Sequence, residues 1–302
     1  MPTSFVQYDV FTDRPLAGNQ LAVFLDGSGF DPGLMQRLAQ EMAFPETTFV
    51  LSAEDEATDV RVRIFTPATE LPMAGHPTIG TAFALAGAGR ITTGQARVTF
   101  GLGVGPTPVR LEWRGDRLAF AWMSQAVPTF GHPVLAVDAV AGALGVGGND
   151  IRATGLPIQE ASSGVPFLYV PLTSRDAVDA ALLDRAALRR FFAALGSPER
   201  PVFVFTLDGS DDRTTVYSRM FAPVLGVHED PATGSASGPL GAYLVTHGVV
   251  TADEGRALVS VQGVKMGRPS RVHIAVGSRD GIIEQIEVGG QAVKVADCTL
   301  TL

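Results

Sequence analysis

The sequence has one cysteine and two lysines in 302 residues. A lone thiol, Cys298, leaves no intramolecular disulfide and no thiolate metal cluster. The lysines, Lys265 and Lys294, accompany 21 arginines, and the formal net charge is −8. Basic residues form no run longer than a pair, so the basic stripe that a nucleic-acid partner needs is missing. Long apolar runs are missing too. One long uncharged stretch, 71–89, is broken by His76, prolines and glycines. It reads as a loop followed by a short helix, and no membrane partner is expected. The opening MPTSFVQYDVF lacks a positive segment followed by an apolar core, so no signal peptide is expected and the chain reads as cytoplasmic.

What is present is core material. Hydrophobic residues make up 46% and charged residues 18%, which excludes wholesale disorder. Segments 4–10, 21–25, 47–51, 60–65, 98–102, 109–113 and 118–122 read as strands. Asp31-Pro32 reads as an N-cap with proline at the first helical position, followed by Leu34, Met35, Leu38 and Met42 at helical spacing. In the second half, 167–170, 202–207 and 215–221 read as strands. Asp184 caps a helix with Leu188, Phe191, Phe192 and Leu195 on one face. Segment 124–133, with Pro128, reads as a linker.

The two halves are related. Shifting 49–67 by 156 residues onto 205–223 gives eight identities, among them Phe49/Phe205, Arg63/Arg219, Phe65/Phe221 and Pro67/Pro223. Both copies run through Arg-(Ile/Met)-Phe-x-Pro into a Gly-rich segment. This predicts two similar domains with a cleft between them. The first covers 1–125, completed by the strand-rich tail at about 285–302. The second covers 126–284.

Each Gly-rich segment leads into a helix of small residues. The first contains Ala74-Gly75-His76-Pro77-Thr78, the second Asp230-Pro231-Ala232-Thr233-Gly234-Ser235. A helix start offers unpaired N–H groups and a partial positive charge, and two of them facing a cleft would suit a carboxylate. The alternative is a pair of ordinary N-caps. Glu46, in Phe44-Pro45-Glu46-Thr47, is either an exposed loop glutamate or a carboxyl among apolar neighbours suited to taking and returning a proton. Asp230 is either a helix cap or a site residue, and at the 156-residue offset its counterpart is Ala74. His76 is either structural or directed at the anion site. His132, His228, His247 and His273 lack metal-ligand spacing, so no metal is expected.

These residues carry a resemblance. Val10-Phe11-Thr12, Gly18-Asn19-Gln20-Leu21-Ala22-Val23, Pro45-Glu46-Thr47-Thr48-Phe49, Arg63-Ile64-Phe65-Thr66-Pro67, Gly75-His76-Pro77-Thr78-Ile79-Gly80 and Glu229-Asp230-Pro231-Ala232-Thr233-Gly234 occur in order along nearly the whole chain. Together they resemble the PhzF-like phenazine-biosynthesis proteins, of the diaminopimelate-epimerase-like fold. The resemblance implies an α+β architecture of two pseudo-symmetric domains, each a curved mixed sheet or barrel around a central helix. It implies an isomerase without a cofactor, commonly a homodimer, acting on a small carboxylate. By this resemblance Glu46 moves a proton and His76 and Asp230 assist. Asn19, Gly75, Gly234 and Ser235 hold substrate.

Three functions follow. The first is suprafacial proton transfer by one glutamate in a small cyclic amino- or hydroxy-substituted acid, similar to trans-2,3-dihydro-3-hydroxyanthranilate isomerisation. The second is a carboxylate-binding protein of the same fold that does no chemistry, marked by saturable binding without proton exchange. The third is a racemase or epimerase. Such relatives use one cysteine per repeat, whereas here Ala74 and a position at or near Asp230 stand in those places, and Cys298 lies in neither motif.

Overall fold

The computed structural model describes residues 2–209, 211 and 213–301. The chain divides into two compact units, Met1–Ser124 with Glu287–Leu302, and Gln125–Ile286. No helix among the described residues is long and apolar enough to cross a membrane.

In chain order, the first unit contains β1 (Pro2–Val10), β2 (Asn19–Phe24), α1 (Pro32–Met42), β3 (Glu46–Ser52), β4 (Val60–Phe65), β5 (Glu70–Leu71), α2 (Gly75–Gly87), β6 (Arg97–Leu102), β7 (Gly105–Arg114) and β8 (Arg117–Gln125), whose last residue begins the second unit. The second unit continues with β9 (Thr129–Val134), α3 (Val137–Leu144), α4 (Gly148–Arg152), β10 (Ile158–Ser162), β11 (Pro166–Pro171), α5 (Arg175–Ala180) and α6 (Arg185–Ala194). It goes on through β12 (Val202–Thr206), β13 (Val216–Ala222), β14 (Val227–Asp230), α7 (Gly234–Thr246), β15 (Leu258–Gln262) and β16 (Ser270–Arg279). The chain returns to the first unit within β17 (Ile282–Gly290), and β18 (Ala292–Thr301) lies antiparallel along β1.

The repeat is visible strand by strand. In the first unit β2 runs parallel to β3, β3 antiparallel to β4, β4 parallel to β6, and β6 antiparallel to β7. In the second, β11, β12, β13, β15 and β16 follow the same order of parallel and antiparallel steps. The registers also correspond. Leu21 faces Glu46 where Leu168 faces Val202, and Val60 faces Phe100 where Val216 faces Ser260. This is the mixed-sheet, pseudo-symmetric α+β architecture that the sequence predicts.

The central helices explain their composition. Eleven of the thirteen residues of α2 and ten of the thirteen of α7 are buried, so neither helix has a polar face. Small side chains let strands pack on every side. At Gly80, an added methyl group would lie 2.5 Å from Leu21 and 2.7 Å from Val10, so that position is where α2 presses onto β1 and β2. The α1 helix is amphipathic, capped by the Asp31 carboxylate accepting from the Leu34 N–H at 2.8 Å. Its Met35, Leu38 and Ala39 pack with Phe24, Phe49 and Phe65. Burial of each such large apolar side chain contributes roughly 1.5–3 kcal/mol.

Two sequence expectations change. Segment 124–133 is not a free linker. Its second part is β9, antiparallel to β10, and Pro133 occupies a register position opposite Gln159. Local composition argues against a strand there, and pairing with a distant partner overrides it. The short helices α3, α4 and α5 are absent from the sequence reading. Of these, α4 and α5 are too short to display a full apolar period, whereas α3 does carry one in Val137, Val140, Ala141 and Leu144.

Candidate functional site

In the first unit, three elements bring Glu46 and His76 together. The chain leaves α1 through Ala43 in the left-handed conformation, φ 51°, turns at Pro45, and begins β3 at Glu46. Parallel pairing with β2 places Glu46 opposite Leu21, beside Gln20. The helix α2 begins at Gly75, with Ala74 as its extended N-cap and no side-chain cap. His76 is buried and bonds the Gln20 main chain. Its Nε2 lies 3.3 Å from Oε2 of Glu46, whose side chain is only 16% exposed. Glu46 is therefore not an exposed loop glutamate.

The protonation of this pair follows from its surroundings. Burial pushes the His76 pKa down to about 3, against a smaller upward pull from the bond to Gln20. The ring is neutral near pH 7. The hydrogen-bond network assigns its proton to Nδ1, which donates to Gln20, and leaves a lone pair at Nε2. The Glu46–His76 contact is then a hydrogen bond only when Glu46 carries a proton.

Asn19 opens β2 and is fully buried, opposite Val10. Gly18 precedes it at φ +67°, where a methyl group would collide with the Val10 carbonyl oxygen and lie 2.7 Å from Thr12. The loop is tied down from below, since the Leu16 N–H donates to the buried Asp9 carboxylate at 2.7 Å. Gly18→Ala is expected to lower stability by about 2 kcal/mol through left-handed strain and the backbone collision. A melting temperature equal to wild type would refute this.

In the second unit, Asp230 ends β14 and is buried. It does not cap α7; Thr233 is the N-cap, again without a side-chain cap bond. Thr233 Oγ1 donates to the Asp230 carboxylate. Gln262 braces both, donating from Nε2 to the Asp230 carbonyl at 2.7 Å and to Thr233 Oγ1 at 3.0 Å, and accepting the Thr233 N–H at 3.2 Å. Gly234 is buried at the first turn, its carbonyl accepting from Gln125 at 3.0 Å, and Ser235 is part-exposed.

The structure corrects one correspondence. The central helices begin at Gly75 and Gly234, 159 residues apart, and Thr78 and Ser237 each bond back to the N-cap carbonyl. Thr233 is thus the counterpart of Ala74. Asp230 faces Met220 where Leu71 faces Ile64, so its counterpart is Leu71 and not Ala74. A 3-10 turn at Pro223–Leu225 shifts the alignment between strand and helix. Both N-cap positions still lack a thiol. Glu46 stands where the second repeat has Val202, His76 where it has Ser235, and Asp230 where the first has Leu71. At two of these three positions only one repeat carries a polar group.

The family model for phenazine biosynthesis-like proteins matches residues 8–298. The chain belongs to the phenazine biosynthesis-like protein family. The trans-2,3-dihydro-3-hydroxyanthranilate isomerase of Pseudomonas aeruginosa is 36% identical over 293 residues, 97% of each chain. The uncharacterized isomerase YddE of Escherichia coli is 33% identical over 291 residues, 94% of each. The present family member is an isomerase, as these relatives are named. A solved PhzF-family protein of Bacillus anthracis has a TM-score of 0.89 at 28% identity, with 100% of both chains covered. A hydroxyproline epimerase of Agrobacterium vitis, at 14% identity and TM-score 0.64 over 99% of this chain and 92% of that one, shares the fold.

Sequence reading misses Gln262, Thr233 and Gln125. Thr233 lies inside the quoted motif, but Gln262 and Gln125 have no signal in the sequence. Among the described residues, no group of three or more His, Cys, Asp or Glu side chains is arranged to hold a metal ion.

Proposed function

We propose that this isomerase moves a proton between two carbons of a small cyclic carboxylic acid bearing an amino or hydroxyl group, with Glu46 as the single acid/base. The observation that carries the reading is the part-buried Glu46 carboxyl against the neutral, buried His76 at 3.3 Å. An ionised Glu46 takes a proton from an acidified carbon. The C–H bond breaks, its electron pair moves through the adjacent double bond, and the same carboxyl group forms a new C–H bond at the far end. The proton balance closes on Glu46 alone, with no cofactor invoked. One base returning the proton to the face it came from gives an allylic shift rather than inversion.

His76, fixed by Gln20, orients the Glu46 carboxyl group. The main-chain N–H groups at Gly75 and at Gly234–Ser235 are proposed to receive the substrate carboxylate; the missing side-chain caps at both helix starts support this. Asn19 and Asp230 are proposed to hold the amino or hydroxyl substituent.

Relatives named for trans-2,3-dihydro-3-hydroxyanthranilate make it the first substrate to test. Incubated with it in D₂O, the protein is expected to yield isomerised product with deuterium confined to the carbon that gains the proton, followed by NMR. Saturable binding with neither product nor deuterium exchange would refute isomerisation of this compound and leave a binding role.

A further inference from the structure

Arg63 and Arg219 are identical between the repeats, yet neither belongs to the chemistry above. Each makes the same contact. Arg63 Nε and Nη2 donate to the two oxygens of Glu70 at 2.7 and 2.6 Å, and Arg219 Nε and Nη2 donate to those of Glu229 at 2.9 and 2.9 Å. Each guanidinium also lies over the phenylalanine two residues on, 5.1 Å from Phe65 and 4.8 Å from Phe221. Each glutamate is on the short strand that leads into a central helix, five positions before its first glycine. The device is thus duplicated with the helix entries.

The copies differ in burial. Arg63 and Glu70 side chains are 17% and 40% exposed, Arg219 and Glu229 only 9% and 11%. Arg219 Nη1 also donates to the carbonyls of Val178, Asp179 and Ala181 at 3.0, 3.1 and 2.8 Å, at the end of α5. The strand it holds is weakly laddered. β14 meets β13 at two register positions with an irregularity between them, and its last residue is Asp230. A bidentate, buried Arg–carboxylate bond fixes direction as well as distance.

We propose that Arg219 is a positioning residue, which through Glu229 holds β14 so that Asp230 and the first turn of α7 keep their place for substrate. The Arg63–Glu70 pair is the weaker counterpart for the α2 entry. This rests on the proposed role of Asp230, and two separate readouts keep the two ideas apart.

The first readout is hydrogen exchange by mass spectrometry, which needs no substrate. Glu229→Gln keeps the shape of the side chain and removes its charge. It is expected to speed amide exchange over 230–236 and leave 75–80 unchanged, whereas Glu70→Gln does the reverse and more weakly. Glu229→Asp, which keeps the charge and shortens the reach, moves the same amides and serves should the glutamine variant not fold. The second readout is turnover of trans-2,3-dihydro-3-hydroxyanthranilate. Glu229→Gln is expected to lower kcat/KM roughly 10- to 100-fold, as a small displacement of a positioning group does. Added to Asp230→Ala it should lower the rate by a clearly smaller factor than in the wild-type background, because part of its effect runs through Asp230. Unchanged exchange over 230–236, or losses that simply multiply in the double variant, would overturn the proposal. A wild-type protein inert toward this substrate would count against the proposed function, and faster exchange over 230–236 would still support the clamp.

Discussion

Glu46→Gln is expected to reduce isomerisation by about 10²–10⁴-fold, the usual worth of a positioned general acid/base, while substrate affinity stays within a few-fold. Glutamine has the size of glutamate, and its amide can donate to the lone pair of His76 Nε2 as a protonated Glu46 does. The local structure should survive, because the bonds that fix His76 run to Gln20 and not to Glu46. What glutamine cannot do is accept and return a proton. The measurement pairs turnover with equilibrium binding of the same substrate. Loss of rate with binding retained is the mark of a group acting on the transition state alone. If both fall together, Glu46 is a binding residue. If neither falls, the proton is moved by another group, and Asp230, a buried carboxyl at the entry to α7, becomes the candidate.

The sequence exposes those parts of the fold that depend on neighbours along the chain. The central helices are legible because glycine, alanine, serine and threonine follow a Gly-rich entry, and the α1 cap because Asp31-Pro32 is a local signal. The repeat is legible because its strands keep the same residues at a constant spacing. The rest depends on partners distant in sequence. Glu46 looks like a loop residue until β2 and β3 pair in parallel across α1. Gln262 acquires its role only when β15 pairs with β13 and brings it to Asp230 and Thr233. The Arg63/Arg219 identity is plain in the sequence, but the glutamates they hold are 159 residues apart rather than 156. The turn at Pro223–Leu225 absorbs the difference and also hides which residue answers to Asp230. Asn19 is legible as part of a motif, and its complete burial is not.

The neutral, buried His76 should make stability depend on pH with a definite sign. In the unfolded chain its pKa is near 6.5; in the folded chain burial lowers it to about 3. Between these values the unfolded state binds a proton that the folded state refuses, so stability falls as pH falls below about 6.5. Above that range the ring is neutral in both states and contributes no slope. One such group costs about 1.4 kcal/mol per pH unit inside the window. From pH 7 to pH 4.5 the loss is about 2.5 kcal/mol, and it approaches about 4–5 kcal/mol near pH 3. Carboxylates also titrate there, so the useful quantity is the difference from His76→Asn, which retains a donor for the Gln20 carbonyl and has no titrating ring. Urea unfolding at both pH values should show the wild-type protein losing about 2.5 kcal/mol more than the variant. Equal losses would mean that the His76 ring titrates alike in the folded and unfolded chains and is not held neutral by burial. A smaller loss than the variant's would mean a cationic ring paired with Glu46, and the neutral imidazole beside Glu46 would have to be abandoned.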